Sequence, residues 1–170
     1  MLGFTGSVPS PCTRRTHEMT PERSLVFSWL TPTAGLHPDD ATDIAALHRE
    51  LSPTATPVTM YDIWVTGEHN PIIIGRDPET NRIIAMATLV PMRLLRGSRG
   101  YIHDVVIASS HRGKGHGKPL LEKLVERARK LRLTSLELTS SDDRAAALNL
   151  YDSLGFKLRE TNVLTLSLTA

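Results

Sequence analysis

The sequence predicts an α/β domain with a mixed, mostly antiparallel central sheet and helices on both faces. Three observations predict it. Apolar, β-rich runs separated by turn residues fill the middle of the chain, a strongly amphipathic stretch follows from about Lys118 to Leu131, and strand and helix patterns alternate again after that. With 170 residues, 40% of them hydrophobic and 22% charged, the chain has enough apolar material for one core.

The elements follow in order. Residues 1–24 show no periodicity and are rich in Gly, Pro, Ser and Thr, so they are expected to form a disordered leader ahead of a single domain over residues 25–170. LVFSWL, starting at Leu25, alternates as a first strand, and Pro38-Asp39-Asp40 opens a helix with Ile44, Leu47 and Leu51 on one face. Pro53 and Pro57 interrupt the next segment, leaving a short helix around Met60 to Val65 within a lid. PIIIGRD and RIIAMATLVP form a hairpin across Pro78-Glu79-Thr80-Asn81, and YIHDVVIA follows the basic loop RLLRGSRG. In the long helix, Leu120, Leu121, Leu124, Val125 and Ala128 recur at helical spacing. The strand TSLELTS, a helix DDRAAALNLYDSLGF closed by Gly155, and a final strand pair around FKLRE and NVLTLSL complete the order.

Charge and cysteine content exclude several classes. Twenty Lys and Arg against eighteen Asp and Glu give a net charge of +2, too even to suggest nucleic-acid binding. Cys12 is the only cysteine and sits in the leader, so no intramolecular disulfide and no cysteine-based metal site are expected. No apolar run approaches the roughly 20 residues of a membrane span. A soluble, cytoplasmic protein without nucleic-acid or membrane partners is the expectation, and the histidines show no metal-ligand spacing.

The chemistry concentrates in HRGKGHGKPLLEKL, residues 111–124. A P-loop would need glycine where Arg112 stands and a hydroxyl where Pro119 stands. The dinucleotide fingerprint fails as well, because its third glycine position is Lys118. What remains is R-x-x-G-x-G, spelled Arg112-Gly113-Lys114-Gly115-His116-Gly117 and followed by Lys118. A diphosphate needs converging N–H donors that side chains would obstruct. Glycines remove the obstruction, and the unsatisfied first-turn amides of a helix supply donors and the positive end of its dipole.

This loop resembles the acetyl-CoA motif of the GCN5-related N-acetyltransferases (GNAT). ALNLYDSLGF, Ala147 to Phe156, is similar to the family's second signature, and the likeness spans roughly Leu25 to Leu168. The cofactor motif looks nearest to small-amine and glucosamine-phosphate acetyltransferases, with His103 where those often have glutamate. The resemblance implies a GNAT-like sheet with a splayed strand pair and acetyl-CoA as donor. It implies main-chain contacts to that donor from Val105, Val106 and Ile107, and a diphosphate loop over Arg112, Gly113, Lys114, Gly115, His116, Gly117 and Lys118. It places Tyr151 as general acid, a role a phenol suits because its pKa of about 10 exceeds that of a thiol.

The base stays open among three residues. Glu137 points away from Leu136 and Leu138 by strand alternation, and the same rule puts His103 and Asp104 on opposite faces of their strand. Glu137 is favoured slightly over His103, whose ordinary pKa of about 6.5 suits proton acceptance, while Asp104 is expected to orient. The expected activity is acetyl transfer to a primary amine by direct attack, most simply on a small molecule, with an amino acid, an aminosugar or a protein N-terminus also open. The competing reading is a non-catalytic acyl-CoA-binding or regulatory domain. An apolar last strand at a sheet edge invites a partner, which leaves a homodimer open.

Overall fold

The computed structural model describes residues 24–30, 37–54 and 56–168, so nearly all of the expected leader lies outside the described residues. A five-stranded sheet in the order β1-β2-β3-β4-β5 organises the chain. Its strands are β1 (Val26–Leu30), β2 (Ile72–Arg76), β3 (Ile83–Leu94), β4 (Gly97–Ile107) and β5 (Ser135–Glu137). The first four pair antiparallel, and β5 lies parallel to β4. Four helices pack on it: α1 (Pro38–Leu51), α2 (Met60–His69), α3 (Gly117–Lys130) and α4 (Ala145–Ser153).

Local sequence explains where the helices start. In α1 the His37 side chain accepts from the Asp39 backbone N–H, Pro38 fits the first turn, and Asp39 and Asp40 complement the dipole. In α2 Thr59 and Asp62 cap each other's backbone N–H groups in a capping box, and the helix runs on to His69, beyond the expected Val65. Helix α3 buries Leu120, Leu121, Leu124 and Ala128 and keeps its charges outside. Each fully buried leucine contributes about 1.5–3 kcal/mol relative to exposure.

The core has two parts, one on each face of the sheet. Under α3 and α4, Ile73, Ala87, Leu89 and Ile102 meet Leu120, Leu121, Leu124 and Tyr151. Under α1 and α2, Ile72, Ile74, Met86 and Val106 meet Ile44, Leu47 and Ile63. Two ion pairs fasten α1 to the β2–β3 hairpin: Arg76 forks onto Asp40 with both bonds at 2.8 Å, and Arg82 pairs with the buried Asp43. Asp43 also accepts the Ile83 backbone N–H at 2.9 Å.

Three departures from the sequence reading have physical causes. The basic stretch 93–100 is not a loop, because β3 and β4 extend through it and turn only at Leu95 and Arg96, with Arg93 opposite Ser98 and Met92 opposite Arg99. Pro91 is tolerated inside β3 because β2 begins opposite Thr88, so that no described strand pairs with that edge of β3 beyond Leu89. The final strand pair over FKLRE and NVLTLSL does not form: residues 155–168 carry no strand, and Leu158, Val163, Leu164, Leu166 and Leu168 are all exposed. Alternation supplies a face to bury, but a strand also needs a neighbouring strand, and the described sheet ends at β5 without including this segment.

Candidate functional site

The site grows from the parting of β4 and β5. They pair over only three positions, Arg99 with Ser135, Gly100 with Leu136 and Tyr101 with Glu137. Strand β4 then continues to Ile107 with no described strand paired on that side. The main chain of Val105, Val106 and Ile107 therefore lies along an open edge while their side chains pack into the two cores.

A 3₁₀ turn, Ser109–His111, carries the chain from β4 into the glycine loop. Gly113 and Gly115 take φ of +77° and +78°, and a Cβ at either would meet nothing within 4 Å. They provide left-handed backbone and unobstructed space for a ligand to approach the main chain. Gly117 serves differently. A Cβ there would fall 2.7 Å from Leu150 Cδ2 and 3.7 Å from Ile107 Cδ1, so its lack of side chain lets the start of α3 close on α4 and on the end of β4. His116 is buried at the N-cap of α3 without capping the helix through its side chain, whereas Lys114 and Lys118 are exposed on the loop and first turn.

The Arg112 side chain is already engaged, donating from Nε to the Ile107 carbonyl at 2.9 Å and from Nη2 to Glu50 at 2.8 Å. Glu50 also accepts the Ser109 backbone N–H at 2.9 Å, so the last turn of α1 holds the loop. No local pattern marks this: the pairing joins residues 62 positions apart, and sequence reasoning missed Glu50 altogether.

Tyr151 lies on α4 beside Leu150, with its ring buried and set edge-on to Phe156 at 5.9 Å. Burial pushes its phenol above the ordinary tyrosine pKa, and the charge of Arg144 opposes that only in part. The hydroxyl keeps its proton throughout the neutral range.

The three base candidates fare differently. Glu137 Oε1 accepts from Arg99 at 3.1 Å and from Arg159 at 2.9 Å. His103 is exposed and stacks on Tyr101 with ring centroids 4.9 Å apart. Asp104 occupies a β-bulge at φ +54°, where the register jumps from Met86–Val106 to Thr88–His103. The extra residue overturns the strict alternation expected for this strand. Asp104 turns toward a cavity of about 140 Å³ on the α1/α2 face, shared with Thr88, the cross-strand partner of His103. That cavity, bounded also by His48 of α1 and Asp62 of α2, was not legible as a pocket in the sequence. Asp62 is held below the usual carboxylate range by hydrogen bonds from the Thr59 hydroxyl and backbone N–H. Among the described residues no group of three His, Cys, Asp or Glu is placed to hold a metal, and no helix is long and apolar enough to cross a membrane.

Comparison with known proteins supplies the family. An L-methionine sulfoximine/L-methionine sulfone acetyltransferase from Pseudomonas paraeruginosa is 33% identical over 89 residues, covering 52% of this chain and 51% of that protein. A glucosamine 6-phosphate N-acetyltransferase from Trypanosoma brucei brucei is 38% identical over 84 residues, 48% of this chain and 55% of that protein. The chain thus spans about half the length of the curated relatives it matches. In three dimensions it resembles the crystal structure of a Trypanosoma brucei acetyltransferase, with a TM-score of 0.69 and 25% identity over 85% of this chain and all of that one. The model of the acetyltransferase (GNAT) family matches residues 38–156, from the first turn of α1 through the glycine loop to Phe156 behind Tyr151. With parted strands, glycine loop and tyrosine helix assembled in one fold, the chain belongs to the acetyltransferase (GNAT) family.

Proposed function

We propose that the protein transfers an acetyl group from acetyl-CoA to a primary amine by direct attack, with no covalent enzyme intermediate. The observation that carries this reading is the meeting of Ile107, Gly117 and Leu150 at one point, which sets the open edge of β4, the amide-rich entrance of α3 and the Tyr151 helix side by side. The residues fit the donor: Gly113 and Gly115 leave the backbone uncovered, and the parted strands leave the main chain around Val105 and Val106 and the Ile107 N–H for a pantetheine arm, the Ile107 carbonyl being held by Arg112. Acetyl-CoA supplies an activated acyl group when bound.

The remaining work falls to the chain itself. First-turn amides of α3, with Lys114, Lys118 and the loop amides from Arg112 to His116, receive the diphosphate. Tyr151 Oη holds the proton that a departing thiolate requires, and its buried position keeps that proton available. Asp104, lining the cavity beside the open strand, takes up the acceptor's ammonium and relays its proton away through solvent. His103, exposed two residues beyond Tyr101, is a second proton acceptor on the same strand, whereas Glu137 is committed to Arg99 and Arg159. A cytoplasmic location and a small-molecule acceptor agree with this reading, and the exposed apolar tail over residues 163–168 is where a second copy would pair in a homodimer.

The test is Tyr151→Phe. Turnover with acetyl-CoA and a reactive amine, read by thiol release, should fall at least about tenfold while calorimetric CoA affinity stays within about twofold. CoA binding without acetylation of any amine would instead favour the non-catalytic acyl-CoA-binding reading.

A further inference from the structure

The cavity beneath α1 and α2 is specific about charge. Its apolar wall comes from Leu30, Ile44, Val58, Ile63, Ile72 and Met86. Its polar groups are the carboxylates of Asp62 and Asp104, the imidazole of His48 and the hydroxyls of Thr66 and Thr88. Among the described residues lining it there is neither lysine nor arginine. The strand's strain is spent here as well, since Asp104 adopts φ +54°, which a non-glycine residue seldom does, and its half-buried carboxylate has no partner among the described residues. Asp62 stays tied to Thr59 and so presents a fixed negative charge rather than a mobile one.

Two carboxylates with no guanidinium or ammonium beside them attract a cation and repel an anion, and the apolar wall gains from burying hydrocarbon. Resting on the acetyl-transfer reading, we propose that the acceptor is a small primary amine with an apolar body and no phosphate or carboxylate of its own, its ammonium matched by Asp104 and Asp62. An aminosugar phosphate or an α-amino acid would bring a second charge of the wrong sign into the cavity, so this chain differs in acceptor from the relatives whose names carry such substrates.

Two matched pairs test the inference on the full chain: 3-methylbutylamine against leucine, and glucosamine against glucosamine 6-phosphate. The readouts are calorimetric binding of each compound, to the free protein and to the CoA-saturated protein, and kcat/KM by thiol release. The member without the anionic group should be favoured at least about tenfold in each pair. Asp104→Asn, whose side chain tolerates the positive φ, should weaken 3-methylbutylamine binding at least about fivefold and leave CoA affinity unchanged. Equal or tighter binding of the anionic members, no binding of either alkylamine or sugar amine, or indifference to Asp104→Asn would each overturn the assignment. A protein that binds no CoA would defeat the acetyl-transfer reading alone, because amine binding to the free protein still decides what the cavity accepts.

Discussion

The Glu50 carboxylate accepts a 2.8 Å hydrogen bond from Arg112, joining the last turn of α1 to the glycine loop that opens α3. One helix therefore carries both a wall of the cavity, through Ile44 and His48, and the brace of the glycine loop. Glu50→Gln and Glu50→Ala should loosen that loop. The KM for acetyl-CoA should rise about three- to tenfold with kcat little changed, the alanine variant being the worse. Both side chains are partly exposed, so thermal stability should shift by no more than about 1 kcal/mol, which separates a positioning role from a structural one.

The three loop glycines should respond to substitution in two different ways. Gly117→Ala places a methyl against Leu150 Cδ2 and should cost about 1–3 kcal/mol of overpacking in urea unfolding. Gly113→Ala meets open space and pays only the left-handed backbone penalty, about 1–2 kcal/mol. Glutamate at Gly113 or Gly115 should pay the same backbone penalty as alanine and lower CoA affinity further than alanine does, because its longer, negatively charged side chain reaches into the open space.

Asp43 is buried and serves two donors, the Arg82 guanidinium and the Ile83 backbone N–H. Asp43→Ala should destabilise the protein by about 1–3 kcal/mol by leaving that N–H without its acceptor. Asp43→Asn, keeping one carbonyl oxygen, should recover part of the loss, as measured by denaturant midpoint at constant slope.

The Arg76 hydrogen bonds hold the Asp40 carboxyl below its ordinary pKa, with burial opposing them less strongly. A lowered native pKa means that the unfolded chain binds the proton more readily. The Asp40 contribution is thus complete above the unfolded value of about 3.9 and is lost as pH falls through the lower native value. In Asp40→Asn the fall of stability below about pH 4 should be shallower than in the parent, and unchanged steepness would show that the pair does not couple folding to protons.

Much of this arrangement could be read from residue patterns, where the cause is local. Leu120, Leu121 and Leu124 announce α3 because their spacing matches the turn of a helix, and the glycines of the loop announce themselves because few other residues tolerate such backbone. Strand and helix order emerged for the same reason up to Phe156. What stayed hidden is set by contact between distant segments. Asp104 turns to the cavity because β4 holds one residue more than β3 opposite it, and alternation counted along β4 alone cannot reveal an extra residue. Glu50 and the cavity wall depend on how α1 docks, and the tail over residues 163–168 carries a strand's pattern but joins no strand of the described sheet. The stretch 93–100 reads as a loop because its arginines look solvated, yet cross-strand pairing carries the hairpin through them.

The open flank of β4 has a consequence for how such a protein can change. On the proposed reading, a ligand lodged beside residues 105–107 is read by peptide groups, and every amino acid except proline brings the same ones. Side chains there answer to the two cores rather than to the guest, so they can be exchanged for others of similar bulk without altering what is gripped. On that reading, novelty is left to accumulate across the sheet, where replacing a single carboxylate of the cavity would redirect the choice of partner molecule.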